Sequence, residues 1–142
     1  MNTFQERLKD LLSDNGLSRL QLSKKINISS TTINDYFNKN YYPNIDIAVS
    51  MANFFNCSLD YLFGLSDEYT NNDKNDNEFF ENMEYLIKSN NTSIHKTMKS
   101  LNMSEYNYFR WKGGKFPKTI NLIEIAKYFD VSVDFLIGNK LS

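Results

Sequence analysis

The chain has 142 residues, 41% of them hydrophobic, and a net charge of −1. No apolar stretch approaches the ~20 residues that span a bilayer, and the first residues lack the apolar segment of a signal peptide, so we expect a cytoplasmic protein without a membrane partner. The charge is unevenly placed: residues 67–78 hold five acidic residues and one basic residue, whereas residues 79–142 hold nine basic and six acidic residues.

The first elements along the chain are three helical patterns separated by short turns. Apolar residues at Phe4 and at positions i+4, i+7 and i+8 from it predict an amphipathic helix over 3–14. Ser18 and Ser29 are N-cap candidates, because a serine hydroxyl accepts a hydrogen bond from an N–H of the first helical turn. They predict a short second helix and a third helix over 30–38. Two short helices joined by a tight turn form a helix-turn-helix.

Two more helices complete this pattern, and a polar segment follows it. An apolar stripe predicts a fourth helix over 45–55. Ser58 caps a short fifth helix, and Gly64 ends it, because glycine adopts the left-handed conformation that closes many helices. Residues 67–77 are acidic and polar, and they predict a flexible linker.

The same pattern returns in the second half of the chain. Ala52–Gly64 and Ala126–Gly138 share the order Ala-x-x-Phe-x-x-Ser-x-Asp-x-Leu-x-Gly. The two segments begin 74 residues apart, and a repeating unit of this length is long enough for a domain that folds alone. Helices are predicted over 78–89, after Ser93, over 105–112, over 119–129 and after Ser132. The fourth of these has an apolar stripe that begins at Ile120.

The segments Gly16–Leu22, Ile28–Ile33 and Ser58–Leu62, together with Pro43, resemble the phage repressor/Cro-like (XRE-type) family of helix-turn-helix transcriptional regulators. The resemblance covers nearly all of 3–64, and a diverged second copy is similar over about 78–138. It implies an all-α fold of two tandem five-helix lambda-repressor-like domains. The expected divisions are an N-terminal DNA-binding domain at 1–66, an acidic polar linker at 67–77 and a diverged C-terminal domain at 78–142.

The resemblance also implies that the third helix of each domain enters the major groove of double-stranded DNA, with its first two turns facing base edges. The matching base-reading residues are Ser30, Thr31, Thr32 and Asp35 in the first domain and Glu105, Tyr106, Asn107 and Arg110 in the second. Small hydroxyls discriminate weakly between bases, whereas Arg110 can bond guanine and Asn107 can bond adenine. Asp35 either accepts from cytosine N4 or is a structural or repulsive residue near phosphates.

Phosphate contacts in this family come from the start of the second helix and the loop after the third helix, and they position a protein without specifying sequence. The matching residues are Ser18, Arg19, Lys39, Tyr41, Ser93, Lys112, Lys115 and Lys118. With Arg110, the last three lysines form a basic cluster in the second domain. The alternative for these lysines is an ordinary solvated face, because lysine is mostly exposed in any protein.

Several residues depart from the family pattern. Arg19 stands where the family usually has glutamine, and Ile94 takes this position in the second domain. Thr97 replaces the apolar Leu22, and Glu105 places a negative charge where phosphates would lie. These departures leave two alternatives for the second domain, weak DNA binding or a protein-interaction module, although this domain is also the more basic of the two.

The sequence suggests no catalytic or metal site. His95 is the single histidine and no second ligand lies near it, so a metal site or a Cys/His pair lacks partners. Gly113 and Gly114 lie between two lysines but lack the spacing of a phosphate-binding loop. We therefore expect no enzyme activity and no cofactor. We also expect neither a self-cleaving peptidase domain nor an inducer pocket, so that any switch acts through a partner protein or through protein level.

These features predict a sequence-specific DNA-binding transcriptional regulator, a repressor of phage or mobile-element type that acts in the cytoplasm at the nucleoid. One chain could read an asymmetric site as an intramolecular pseudo-dimer, because a linker of ~12 residues extends to about 40 Å. Homodimerisation is the other possibility. The alternative function is a protein-interaction module, such as an antirepressor or antitoxin-like partner, that retains the fold with weak or no DNA binding.

Overall fold

A computed structural model describes residues 3–141, which form ten α-helices, one short 3₁₀ helix and no strand. This confirms the predicted all-α fold class. The chain divides into two compact units, Met1–Asn72 (unit 1) and Asp73–Ser142 (unit 2). The boundary between the units falls inside the segment predicted as a linker. The outer ends of the predicted domains, at residues 1 and 142, lie outside the described residues.

Unit 1 contains five helices. They are α1 (Phe4–Asp14), α2 (Arg19–Lys25), α3 (Ser30–Lys39), α4 (Ile45–Phe55) and α5 (Leu59–Leu62). The hydroxyls of Ser18, Ser29 and Ser58 cap α2, α3 and α5, each by accepting the backbone N–H three residues further on. The apolar faces meet in a core where Leu8 and Leu22 are completely buried. Burying one such leucine stabilises the fold by about 1.5–3 kcal/mol relative to leaving it exposed.

Unit 2 also contains five helices, followed by a 3₁₀ turn. They are α6 (Phe79–Ser89), α7 (Ile94–Ser100), α8 (Glu105–Lys112), α9 (Thr119–Phe129) and α10 (Val133–Ile137), and the 3₁₀ turn is Gly138–Leu141. Serines again cap three of the helices, at Ser93, Ser104 and Ser132. The helix starts follow those of unit 1 by 75 residues for the first three helices and by 74 for the last two. The closing 3₁₀ turn was not predicted.

One residue of the apolar stripe predicted on α9 faces solvent instead of the core. Ile120 is 43% exposed, whereas Thr119 beside it is 5% exposed. Their counterparts in α4 are the exposed Asp46 and the buried Ile45. The inward position at the start of this helix is therefore its first residue in both units, and unit 2 has threonine there.

Both ends of the 67–77 segment pack on the unit next to them. In unit 1 the Ser58 N–H donates to the Tyr69 carbonyl at 2.9 Å, and the Tyr69 hydroxyl donates to the Phe55 carbonyl. In unit 2 the Asn75 side-chain amide donates to the Phe135 carbonyl at 2.9 Å. A fully extended segment, which the pseudo-dimer prediction assumed, requires these contacts to break.

A buried polar side chain on the first helix of each unit holds the C-terminal part of that unit. Arg7 is 2% exposed, donates to the Ser66 carbonyl at 3.3 Å and pairs with Asp67 at 3.3 Å. Asn82 occupies the same position of the repeat, is 1% exposed and donates to two carbonyls of α10 at 3.0 and 3.2 Å. The amphipathic pattern did not predict these anchors, because polar residues were assigned to the solvent face.

Candidate nucleic-acid interface

In each unit an asparagine makes the tight turn between the second and third helices. Asn27 lies between α2 and α3 with a φ of 57°, and Asn102 lies between α7 and α8 with the same φ. Asparagine is one of the few non-glycine residues that adopt this left-handed conformation routinely. The next N–H groups, of Ile28 and Met103, bond to carbonyls of the preceding helix at 2.9 Å. The paired helices pack on each other, and this fixes the direction of α3 and α8.

The predicted base-reading residues of unit 1 lie on the first two turns of α3. Thr31 is exposed, and the other three are half-buried. The Thr32 hydroxyl lies 2.8 Å from the hydroxyl of the N-cap residue Ser29, so it is already engaged. The Asp35 carboxylate pairs with Lys39 one turn later at 3.8 Å. This ion pair gives Asp35 a structural partner. Of the three hydroxyl residues, Thr31 is the most exposed.

Arg19 and Lys39, the last residue of α3, provide the positive charge of this surface. The Arg19 guanidinium lies 3.9 Å from the centre of the Phe37 ring and donates to the Asn34 side-chain oxygen at 3.2 Å. It therefore links the start of α2 to α3 while it remains exposed. Lys39 and Tyr41 are also exposed, with the Lys39 ammonium 5.8 Å from the centre of the Tyr41 ring.

Two of the predicted phosphate-binding residues have a structural task as well. Ser18 and Ser93 are exposed, and as N-caps of α2 and α7 their hydroxyl oxygens accept a backbone N–H. A hydroxyl that accepts a hydrogen bond keeps its own proton for donation. Both serines can therefore cap their helices and donate to an anion at the same time.

In unit 2, Glu105 at the start of α8 pairs with His95, for which the sequence predicted no partner. Its carboxylate oxygen lies 2.5 Å from Nδ1 of His95 on α7. The His95 side chain is 74% exposed and the Glu105 side chain is 44% exposed. A protonated His95 offsets the negative charge of Glu105, and a neutral His95 can donate a hydrogen bond to it. No sequence pattern indicated this pair, because the contact depends on how α7 and α8 cross.

The remaining base-reading candidates of unit 2 form a surface unlike that of α3. Tyr106 is 70% exposed, Arg110 is exposed and Asn107 is half-buried. The Arg110 guanidinium lies 6.0 Å from the centre of the Tyr106 ring. Phe109 is 55% exposed, and its counterpart in unit 1 is Asn34. The exposed face of α8 therefore presents two aromatic rings and an arginine where α3 presents small polar groups.

Three of the four residues of the basic cluster meet at one open depression. Arg110, Lys115 and Lys118 line this depression, which has a volume of about 420 Å³ and lies between α8 and the start of α9. Lys112 is exposed but is not part of its lining. Lys118 is the N-cap residue of α9 and makes no capping bond, whereas the Asn44 side chain caps α4 in unit 1. The positive end of the α9 dipole therefore adds to the three cations.

The titratable groups beneath these surfaces are two buried tyrosines. Burial raises the pKa of Tyr36, and burial followed by the charge of Glu84 raises the pKa of Tyr108, so both hydroxyls stay protonated at neutral pH. Residues 3–141 contain no group of three or more histidine, cysteine or acidic side chains that could hold a metal ion. Among the helices described, none has the length and apolar character to cross a membrane.

Comparison with known proteins matches residues 8–62 to the family model described as helix-turn-helix. The match runs from α1 to α5, the five helices of unit 1. The "Uncharacterized HTH-type transcriptional regulator YobD" of Bacillus subtilis (strain 168) is 32% identical over 65 residues, which cover 46% of this chain and 58% of that protein. The chain thus spans less than two thirds of this relative. No solved structure matches the chain.

Proposed function

We propose that this chain, in which residues 8–62 form a helix-turn-helix domain, is a sequence-specific regulator of transcription that binds double-stranded DNA. In detail, it is a repressor of phage or mobile-element type that acts in the cytoplasm at the nucleoid. The observation that carries the proposal is the start of α3, which is held by the turn at Asn27 and presents the exposed Thr31. The similarity of 65 residues of the chain to a relative named as a transcriptional regulator supports it.

In this proposal α3 enters the major groove, which is wide enough for a helix. The small hydroxyls at the start of α3 bond to base edges and contact the thymine methyl group, so unit 1 discriminates weakly by direct contact. Arg19, Lys39 and Tyr41 hold the phosphates on either side of the groove. Such contacts fix the register of the protein on DNA and carry no sequence information.

Unit 2 contributes a second DNA contact with different chemistry. Arg110 forms the bidentate contact with guanine, which is worth about 1–3 kcal/mol of discrimination against another base. The depression that Arg110 also lines, with Lys115 in the loop after α8 and Lys118 at the start of α9, receives a phosphate. Because the exposed groups of α3 and α8 differ, the preferred DNA site is asymmetric if one chain occupies it.

The second candidate function is a protein-interaction module, and specific residues of α8 favour it. Tyr106 and Phe109 are both more than half exposed, and aromatic residues are enriched in the buried centres of protein interfaces. Glu105 also places a carboxylate beside the surface that phosphates would approach. In this case unit 2 binds a regulatory protein, and DNA binding is weak or absent.

Selection of bound duplexes from a random pool with the full chain tests the first proposal. We expect one asymmetric sequence motif. A perfect palindrome would contradict the pseudo-dimer and support a homodimer. The absence of any enriched sequence and of any binding to native-genome DNA at low salt would support the protein-interaction module.

Single substitutions separate the assigned roles in unit 2. Arg110→Ala should relax the preference at one position of the site, whereas Lys115→Ala should weaken all duplexes alike and reduce the slope of log K against log salt by about 0.9. Lys127→Ala is the matched control, because Lys127 is an exposed lysine in the last turn of α9, far from the start of that helix. Equal effects of the Arg110 and Lys115 substitutions on preference would contradict the assigned roles.

A further inference from the structure

Unit 2 contains a cavity of about 240 Å³ behind the C-terminal end of α8. Four aromatic residues line it, Phe79, Phe80, Trp111 and Phe116. Three of their rings form a cluster, in which the Phe79 ring lies 5.8 Å from Trp111 and 5.6 Å from Phe116, centre to centre. Two lysines are also part of the lining, Lys115 from the loop after α8 and Lys140 from the closing 3₁₀ turn. The Lys140 ammonium lies 4.7 Å from the centre of the Phe116 ring.

At the corresponding place in unit 1 a fourth ring joins the cluster. Phe4, Tyr36 and Tyr42 are the counterparts of the three rings above, and Phe63 packs edge-on against Phe4 at 6.1 Å and against Tyr42 at 5.8 Å. The counterpart of Phe63 in unit 2 is Ile137, which lines the cavity. Unit 2 therefore lacks the aromatic ring that completes this cluster in unit 1.

A hydrogen-bonded clamp is also missing from unit 2. In unit 1 the Gln5 side-chain amide donates to the carbonyls of Tyr36 and Tyr41, both at 3.1 Å, and so ties α1 to the loop after α3. The counterpart of Gln5 is Phe80, which has no donor and packs on Tyr108 with their ring centres 5.0 Å apart. The loop after α8 is therefore not held against α6 by this pair of hydrogen bonds.

We propose that this cavity binds a small molecule made of one flat aromatic ring and one anionic group, a carboxylate or a phosphate. An apolar cavity of about 150 Å³ holds a benzene ring, so this volume accommodates the ring and its substituent. The ring lies against Ile137 and makes edge-to-face contacts with the aromatic walls.

The charges of the lining select an anion. Lys115 and Lys140 provide two ammonium groups, and Glu78 provides the single carboxylate among the lining residues. Hydrogen bonds between ammonium groups and a carboxylate or phosphate are stronger than those between neutral groups. A neutral ring would gain only the apolar contacts, and a cationic ring would be repelled by the lysines.

The position of the cavity gives such a ligand a consequence for DNA binding, and this consequence rests on the proposed function. Trp111 belongs to α8, and Lys115 also lines the depression assigned to a phosphate. A bound anion would compete with phosphate for Lys115. Unit 2 would then respond to a small molecule through this cavity, contrary to the expectation from the sequence that the chain has no inducer pocket.

The binding itself is tested on the full chain without DNA, so the outcome does not depend on whether the protein is a regulator. Trp111 is the only tryptophan and lines the cavity, so its fluorescence reports the site directly. Titration with phenyl phosphate and with benzoate distinguishes the two anionic groups, and benzyl alcohol and benzylamine are the neutral and cationic controls. We expect at least one anion to bind saturably and about tenfold more tightly than benzyl alcohol.

Two variants locate the site. Ile137→Phe supplies the ring found in unit 1 and should abolish the response, with an unchanged circular dichroism spectrum as evidence of folding. Lys140→Met should weaken binding of the preferred anion about tenfold without changing the weak response to benzyl alcohol, and Lys127→Met is the matched lysine control. If Ile137→Phe does not fold, the Lys140 variant decides alone. The proposal is overturned if neither anion binds saturably, if benzyl alcohol binds equally well, or if Lys140→Met binds like the original chain.

Discussion

Thr97 is a buried hydroxyl without a hydrogen-bond partner, and replacing it should stabilise unit 2. The residue is completely buried and Oγ1 has no partner. Its counterpart in the repeat is Leu22, which is equally buried and apolar. A buried polar group without a partner costs about 1–3 kcal/mol. Valine keeps the branched shape of threonine without the hydroxyl, and the two have similar helix propensities, so Thr97→Val should recover about 1–3 kcal/mol.

Urea unfolding of the full chain, followed by Trp111 fluorescence, measures this change, because the single tryptophan lies in unit 2. With a slope of about 1 kcal/mol/M for a small domain, the midpoint should rise by about 1 M or more. Thr31→Val is the control, since Thr31 is exposed and lies in unit 1, and it should leave this midpoint unchanged. An unchanged or lower midpoint for Thr97→Val would refute the reasoning, because it would mean that the hydroxyl is hydrogen-bonded.

Three further predictions concern other single residues. Gly138→Ala should destabilise unit 2 by several kcal/mol, because the new Cβ would lie 1.9 Å from the Asn77 carbonyl oxygen. Gly16→Ala, with a φ of 63° but open space around it, should cost unit 1 only about 1–2 kcal/mol; equal losses in urea unfolding would contradict the steric argument. Arg7→Ala should lower the unfolding midpoint of unit 1, measured by circular dichroism, far more than Asp67→Ala, because Arg7 is buried against the Tyr61 ring whereas the Asp67 side chain is 98% exposed. A larger effect from Asp67→Ala would disprove this assignment. Glu105→Gln should raise affinity for duplex DNA in low-salt titrations by removing a carboxylate near phosphates, and unchanged affinity would place the start of α8 away from the DNA.

The helices could be predicted from the sequence, because the interactions that begin and end them are local. Ser18 and Ser29 cap helices through groups only three residues away, and the predicted bounds of α4 agree with the observed ones. The misplaced Ile120 shows the limit of the pattern, since an apolar residue in the first turn can fit a stripe and still face solvent.

The candidate interface could be predicted from the sequence only in part. The residues at the starts of α3 and α8 follow from the helix boundaries, but their partners do not. Asp35 pairs with Lys39 one turn away, a spacing that sequence alone can suggest, whereas His95 and Glu105 belong to different helices. Their contact requires the crossing of α7 and α8, which a periodic pattern does not specify.

The sequence alone determined that the chain is all-α and that its helical pattern occurs twice. It also determined which serines and glycines mark the ends of the helices. Each of these features depends on residues within one or two turns of each other. Only the tertiary structure decided that the two copies differ internally. Gln5 reaches carbonyls 31 and 36 residues away, and Ile137 leaves space beside rings from three separate segments. Such distances and volumes arise from how whole helices pack, and two sequences with the same apolar pattern can fill that space differently.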